Sequence, residues 1–144
     1  MGSRPLAEHL AVVAEADIAL DTFPYNDQTT TCECLYLGVP VLSILGDTHA
    51  SRVGWHLLSR AGLESWVAAD EGDYVRLALE RTADLKQLRS SRRVVRRRFR
   101  NSPVMNGVAV TRQIEEAYRW MLRQWVKDDR AKQREQGAST RSHQ

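Results

Sequence analysis

The sequence predicts an α/β fold in which a short parallel sheet is covered by helices. Three observations carry that prediction. Three short apolar runs, at residues 17–21, 39–45 and 66–69, have the length and composition of buried parallel strands. They alternate with longer stretches whose apolar residues recur at helical spacing. Gly38 and Gly62 stand where two of those stretches give way to the next strand, the position of a helix-terminating glycine. The resulting order, α-β-α-β-α-β-α-α-α, is that of a parallel sheet with helices on its faces.

Each element has a local reason. Pro5 opens a helix over Leu6–Glu15, with Leu6, Leu10, Val13 and Ala14 on its apolar side. The first strand, 17–21, holds Ile18, Ala19 and Leu20 between two aspartates. Pro24 to Asp27 is turn chemistry, and a helix from Thr29 to Leu37 follows. The second strand, 39–45, tolerates Pro40 only because it lies near the beginning. A polar loop, 46–52, leads to a helix that buries Val53, Leu57 and Leu58. The third strand, 66–69, precedes helices at 71–82 and 84–100. Residues 101–107 form a break, and a long helix then carries Ile114, Tyr118, Met121, Leu122 and Trp125. From Lys127 apolar residues nearly vanish, so the domain is expected over 1–126 with a disordered tail over 127–144.

Composition bounds the function. The 144 residues suit one domain, and 42% hydrophobic with 27% charged residues is ordinary for a soluble protein. No apolar run reaches the length of a membrane span and no signal-peptide core is present, so a cytoplasmic protein without a membrane partner is expected. Cys32 and Cys34 lack a second Cys or His pair at zinc spacing; they read as small buried residues, and no metal or cofactor is expected. Much of the net charge of +3 lies in the arginine-rich run 89–100. On a helix, Leu85, Leu88, Val95 and Phe99 form its apolar stripe and the arginines its solvated faces. No aromatic platform accompanies that charge, so nucleic acid is not the expected partner. The four tryptophans, Trp55, Trp66, Trp120 and Trp125, read as packing the core or the surface of a missing domain, not as sugar contacts.

The densest chemistry lies in Asp21-Thr-Phe-Pro-Tyr-Asn-Asp-Gln-Thr-Thr-Thr-Cys-Glu33. It is a strand end, a polar loop and a helix that opens on three hydroxyls. Free N–H groups and a partial positive charge at a helix N-terminus suit a phosphate. The carboxyl end of a strand is where an open α/β sheet binds its ligand. A plainer reading of the same residues makes Thr29 an N-cap and Glu33 a first-turn acid favoured by the helix dipole.

This segment, with Gly38-Val-Pro40, His49-Ala-Ser-Arg-Val-Gly54, Ala61-Gly-Leu63, Tyr74 and Ser102-Pro103, resembles the O-GlcNAc transferase/SPINDLY family of protein O-glycosyltransferases. The similarity runs from about Glu8 to Trp125 and matches the last part of the catalytic region, as in a truncated bacterial-type member. It implies a partial Rossmann-like, three-layer fold, the carboxyl-terminal portion of the nucleotide-sugar-binding domain of a GT-B architecture. It implies that Thr29 and Thr30 meet the donor diphosphate and that Thr31 continues the hydroxyl-lined start. Gln28 occupies a position that is His or Thr in the family, where it can donate to phosphate but carry no proton charge. Glu33 matches an acid that accepts from ribose hydroxyls, and His9 a histidine beside the base. His49 and Arg52 flank the mouth of the second strand, with a cleft role and a packing role both open, whereas His56 reads as structural.

The resemblance also implies what is to be expected elsewhere. The acceptor side and catalytic histidines belong to the family's first Rossmann-like domain, and a phosphate-binding lysine to the early half of the second. Lys86 is the only lysine before residue 127 and offers no replacement. The expected partners are therefore a nucleotide sugar, a protein acceptor, the preceding catalytic half and tetratricopeptide repeats, and no catalytic residue is assigned here. UDP-GlcNAc is the default donor, with GDP-fucose the alternative. The competing functional reading is a non-catalytic interaction module that retains the fold.

Overall fold

The computed structural model describes the backbone of residues 5–141, and side chains from Pro5 through Arg130. The chain divides into two units, 1–105 and 106–144. The first unit holds the sheet, and its strands β1 (Ala19–Leu20), β2 (Val41–Ile44) and β3 (Val67–Ala68) run parallel in that spatial order. Ala19 pairs with Val41 and Leu20 with Leu42, while Ser43 pairs with Val67 and Ile44 with Ala68. The expected parallel sheet is thus observed, with shorter strands than the apolar runs suggest. Asp17 and Asp21, at the ends of the first run, turn their carboxylates to Arg89 and Ser43.

Alternation along β2 builds the layers. Val41 points into a cluster with Cys34, Leu35, Val39, Leu58, Leu63, Trp66, Leu88, Val95 and Phe99. Those side chains come from α2 (Thr29–Leu37), α3 (Val53–Arg60), α5 (Leu85–Arg100) and the segments beside them. Leu42 and Ile44 point the other way and pack with Ala68 and with Leu77 of α4 (Glu71–Thr82). A central strand buried on both faces explains why its sequence is a continuous apolar run rather than an alternating one. Helix α2 stops at Gly38 in the left-handed conformation, φ 82°, where its N–H closes onto the last turn.

Three apolar positions correct the sequence reading. Leu20, expected within a buried strand, is exposed because β1 is an edge strand. Leu6 of α1 (Leu6–Glu15) and Leu85 of α5 are exposed, because each sits at the first residue of its helix, beyond the neighbouring layer. The arginine run is more engaged than a solvated face. Arg89 forms a two-point ion pair with Asp17 at 2.8 and 3.0 Å. Arg92 donates to the carbonyls of Ala16 and Ala14 at 2.7 and 2.8 Å, which closes the end of α1. Arg96 and Arg100 lie over the ring of Tyr36.

The second unit is α6 (Gly107–Arg141). It runs on past Lys127, where loss of apolar residues predicts a frayed tail. Ala131, Lys132, Gln133 and Glu135 are good intrinsic helix formers, which accounts for a helical backbone there. The last three residues of the predicted tail, 142–144, lie outside the described residues. The division after Met105 also precedes the sequence-based boundary at 126. Among the described residues, no helix is long and apolar enough to cross a membrane.

Candidate functional site

The loop from β1 to α2 is held by buried polar residues at both ends. Asp21, at the carboxyl end of β1, accepts the Ser43 hydroxyl at 2.7 Å and the Asp27 N–H at 3.0 Å. Its backbone carbonyl accepts the Tyr74 hydroxyl at 2.8 Å. Burial pushes the Asp21 carboxyl above its ordinary range, and the hydrogen bonds from Ser43 and Asp27 oppose that push. Burial, with the Asp21 charge beside it, likewise pushes the Tyr74 phenol up to about 12, so it stays a donor. Asn26 is buried and ties the loop to α3. Its amide donates to the Thr22 carbonyl at 3.1 Å and accepts the Gly54 N–H at 3.3 Å. Its own N–H reaches the Ala50 carbonyl at 3.1 Å.

These anchors deliver the chain to the start of α2. The capping side chain there is Asp27, which corrects the reading of Thr29 as N-cap. Asp27 Oδ1 accepts the Thr30 N–H at 3.1 Å and Oδ2 accepts the Thr30 hydroxyl at 2.7 Å. Those two bonds hold its carboxyl below the usual range, so it is ionised at neutral pH. Thr29 is exposed and Thr31 is buried.

Two clefts flank the turn at Asp27 and Gln28. One, of about 140 Å³, lies between the end of β1 and the first turn of α2, lined by Leu20, Asp21, Thr22, Asp27, Thr30 and Thr31. Cys34 also borders it, but burial pushes that thiol up to about 11, so it is protonated and no nucleophile. The other, of about 330 Å³, collects Gln28, His49, Arg52, Trp55 and His56. Arg52 stacks 5.4 Å from the centroid of the Trp55 ring. His56, read from sequence as structural, is exposed and lines this cleft.

The structure therefore brings Thr30 and Thr31 to one cleft and Gln28 to its neighbour. His9 and Glu33 meet each other: His9 Nε2 lies 3.0 Å from Glu33 Oε2, joining α1 to α2. The sequence suggests separate contacts for these two and assigns no individual role to Asp21, Asn26, Asp27 or Ser43. Asp27 had a visible signal, an aspartate three residues before a helical N–H. Ser43 had none, since a serine within an apolar run reads as a neutral strand position.

Comparison with known proteins follows the same segment. The family model for glycosyl transferase family 41 matches residues 4–114. The chain is 44% identical over 122 residues to a probable UDP-N-acetylglucosamine–peptide N-acetylglucosaminyltransferase SPINDLY of Oryza sativa subsp. japonica, covering 85% of this chain and 13% of that protein. The Hordeum vulgare protein of the same description is 43% identical over the same share. Among solved structures, the K341M mutant of Thermobaculum terrenum O-GlcNAc transferase superposes with a TM-score of 0.75 at 36% identity. That superposition covers 84% of this chain and 23% of the other. The chain thus spans about an eighth of the length of the curated relatives it matches.

Proposed function

The chain belongs to glycosyl transferase family 41, and from that premise we propose that it is the donor-binding portion of a protein O-glycosyltransferase, with UDP-GlcNAc as donor and protein Ser or Thr hydroxyls as acceptor. The carrying observation is the first turn of α2, whose threonines line a cleft at the carboxyl end of β1. Helix N–H groups and hydroxyls in that position suit the diphosphate, whose charge grows as the sugar departs. Glu33, one turn further along α2, accepts from the ribose hydroxyls, and His9 holds that carboxylate from α1. The general base for the acceptor belongs to the rest of the enzyme, since a base must reach the attacking hydroxyl within about 3 Å and none of the residues lining this cleft is suited to that role.

Titration of the chain with UDP and GDP tests the reading. Thr31→Val keeps the side-chain shape and removes one hydroxyl from the cleft. Loss of a hydrogen bond to a charged phosphate should weaken binding by about 1.5–3 kcal/mol. Glu33→Gln should weaken the nucleotides and leave inorganic pyrophosphate untouched. Unchanged affinity in both variants, with the fold retained by circular dichroism, would reduce the hydroxyl cluster to a helix start with no ligand.

A further inference from the structure

We infer that Asp27 is a built-in occupant of the diphosphate seat, a carboxylate that the donor must displace and that sets how tightly this chain holds a nucleotide. The inference rests on the donor-binding reading above. Both carboxylate oxygens of Asp27 are in use, one on the Thr30 N–H and one on the Thr30 hydroxyl. These are the donors that two oxygens of a phosphate would take. An N–H has one proton to give, so a phosphate can bind there only as the carboxylate leaves. Two anions at one helix start also repel each other.

A second observation points to a ligand in the same cleft. Thr31 is only 3% exposed and lines the cleft, and its hydroxyl has no hydrogen bond from any described residue. The hydroxyl opens on the cleft from a residue that is otherwise buried, so an incoming oxygen can accept from it without any rearrangement of the helix. Thr30 is engaged by Asp27 while the Thr31 hydroxyl faces the cleft, so the seat is half filled by the protein itself. Displacement needs only a side-chain rotation. The Asp27 backbone stays pinned through its N–H to Asp21 Oδ1 at 3.0 Å, and its side chain borders solvent.

A plain helix cap predicts the opposite sign. Removing a cap lowers stability and leaves anion affinity the same or weaker, whereas removing an occupant raises affinity. Asp27→Asn separates the two, because asparagine caps about as well as aspartate and carries no charge. Asp27→Gly vacates the seat entirely, and glycine at a cap position is tolerated.

The experiment is calorimetric titration of the 144-residue chain and its variants with inorganic pyrophosphate and with UDP, at one fixed ionic strength. Asp27→Asn should bind pyrophosphate about tenfold more tightly than the unmodified chain, and Asp27→Gly at least as tightly as that. Adding Thr31→Val to Asp27→Asn should remove most of the gain. Equal or weaker pyrophosphate binding by both Asp27 variants, with the fold retained, overturns the inference. If Thr31→Val and Glu33→Gln still weaken UDP in that case, the donor-binding reading stands without it. If instead the Asp27 variants gain pyrophosphate affinity while Glu33→Gln leaves UDP unchanged, the occupied seat stands and the nucleotide reading falls. Absence of binding by every variant overturns both.

Discussion

Gly54→Ala is the most direct test of how the site is seated. A Cβ added at Gly54 would fall on Ser43 Oγ and lie 2.5 Å from Asp21 Oδ2 and 2.8 Å from Ser43 Cβ. None of these can retreat cheaply, since Ser43 is fully buried in β2 and Asp21 is held by three hydrogen-bond partners. Overpacking of this kind costs about 1–3 kcal/mol. Driving Ser43 off Asp21 also loses a hydrogen bond to a charged group, about 1.5–3 kcal/mol. The two costs share one displacement, so the expected loss is about 2–5 kcal/mol, a large part of the stability of a small domain. Urea unfolding followed by circular dichroism measures it. Gly62→Ala is the control: its φ of 67° strains an alanine, but nothing lies within 4 Å of the added carbon. Strain alone should cost about 1–2 kcal/mol there. A loss at Gly54 under about 0.5 kcal/mol, or no greater than at Gly62, would mean that α3 is not packed against the Asp21–Ser43 pair.

Two further outcomes follow from the same packing. Phe99, 1% exposed at the centre of the larger cluster, should cost about 3–5 kcal/mol as Phe99→Ala, and a loss under 1 kcal/mol would place α5 elsewhere. Asp21→Asn can still accept from Asp27 and donate to Ser43, whereas Asp21→Ala strands both partners at about 1–3 kcal/mol each. The Asp21 pair also carries a pH signature. Because burial raises the folded carboxyl above 3.8, its ionised form weakens the fold at neutral pH, and protonation relieves this as pH falls toward 3.8. Asp27 acts in the other direction and lower down, losing its stabilising contribution only as pH falls below 3.8. The stability of Asp21→Asn relative to the unmodified chain should therefore be greater at pH 7 than at pH 4. A difference that does not change between the two would show that Asp21 is not held ionised against burial.

What could be read from sequence was set by short-range regularities. Gly38 before a continuous apolar run announced the end of α2 and a strand buried on both faces, and both are present. The spacing of Leu88, Val95 and Phe99 announced the buried side of α5 among its arginines, and all three are in the core. Periodicity does not say how far a neighbouring layer extends, so Leu6 and Leu85 share the apolar pattern of their helices and still face solvent. The site was legible to a different depth. Hydroxyls at a helix start could be recognised as donors, but a sequence of donors does not name their acceptor. That choice depends on the path of the loop, and the path is set by residues remote in the chain, Asn26 on Gly54 and Asp21 on Ser43. The pairing of His9 with Glu33 has the same origin, two residues 24 positions apart joined by the packing of α1 on α2. An anion site faces this problem whenever it is empty, because buried or half-buried donors need partners with or without the ligand. Here Asp27 meets that need at Thr30, from a loop whose path Asn26 and Asp21 fix, so the cap of α2 is chosen by the fold and not by the nearest hydroxyl in the sequence.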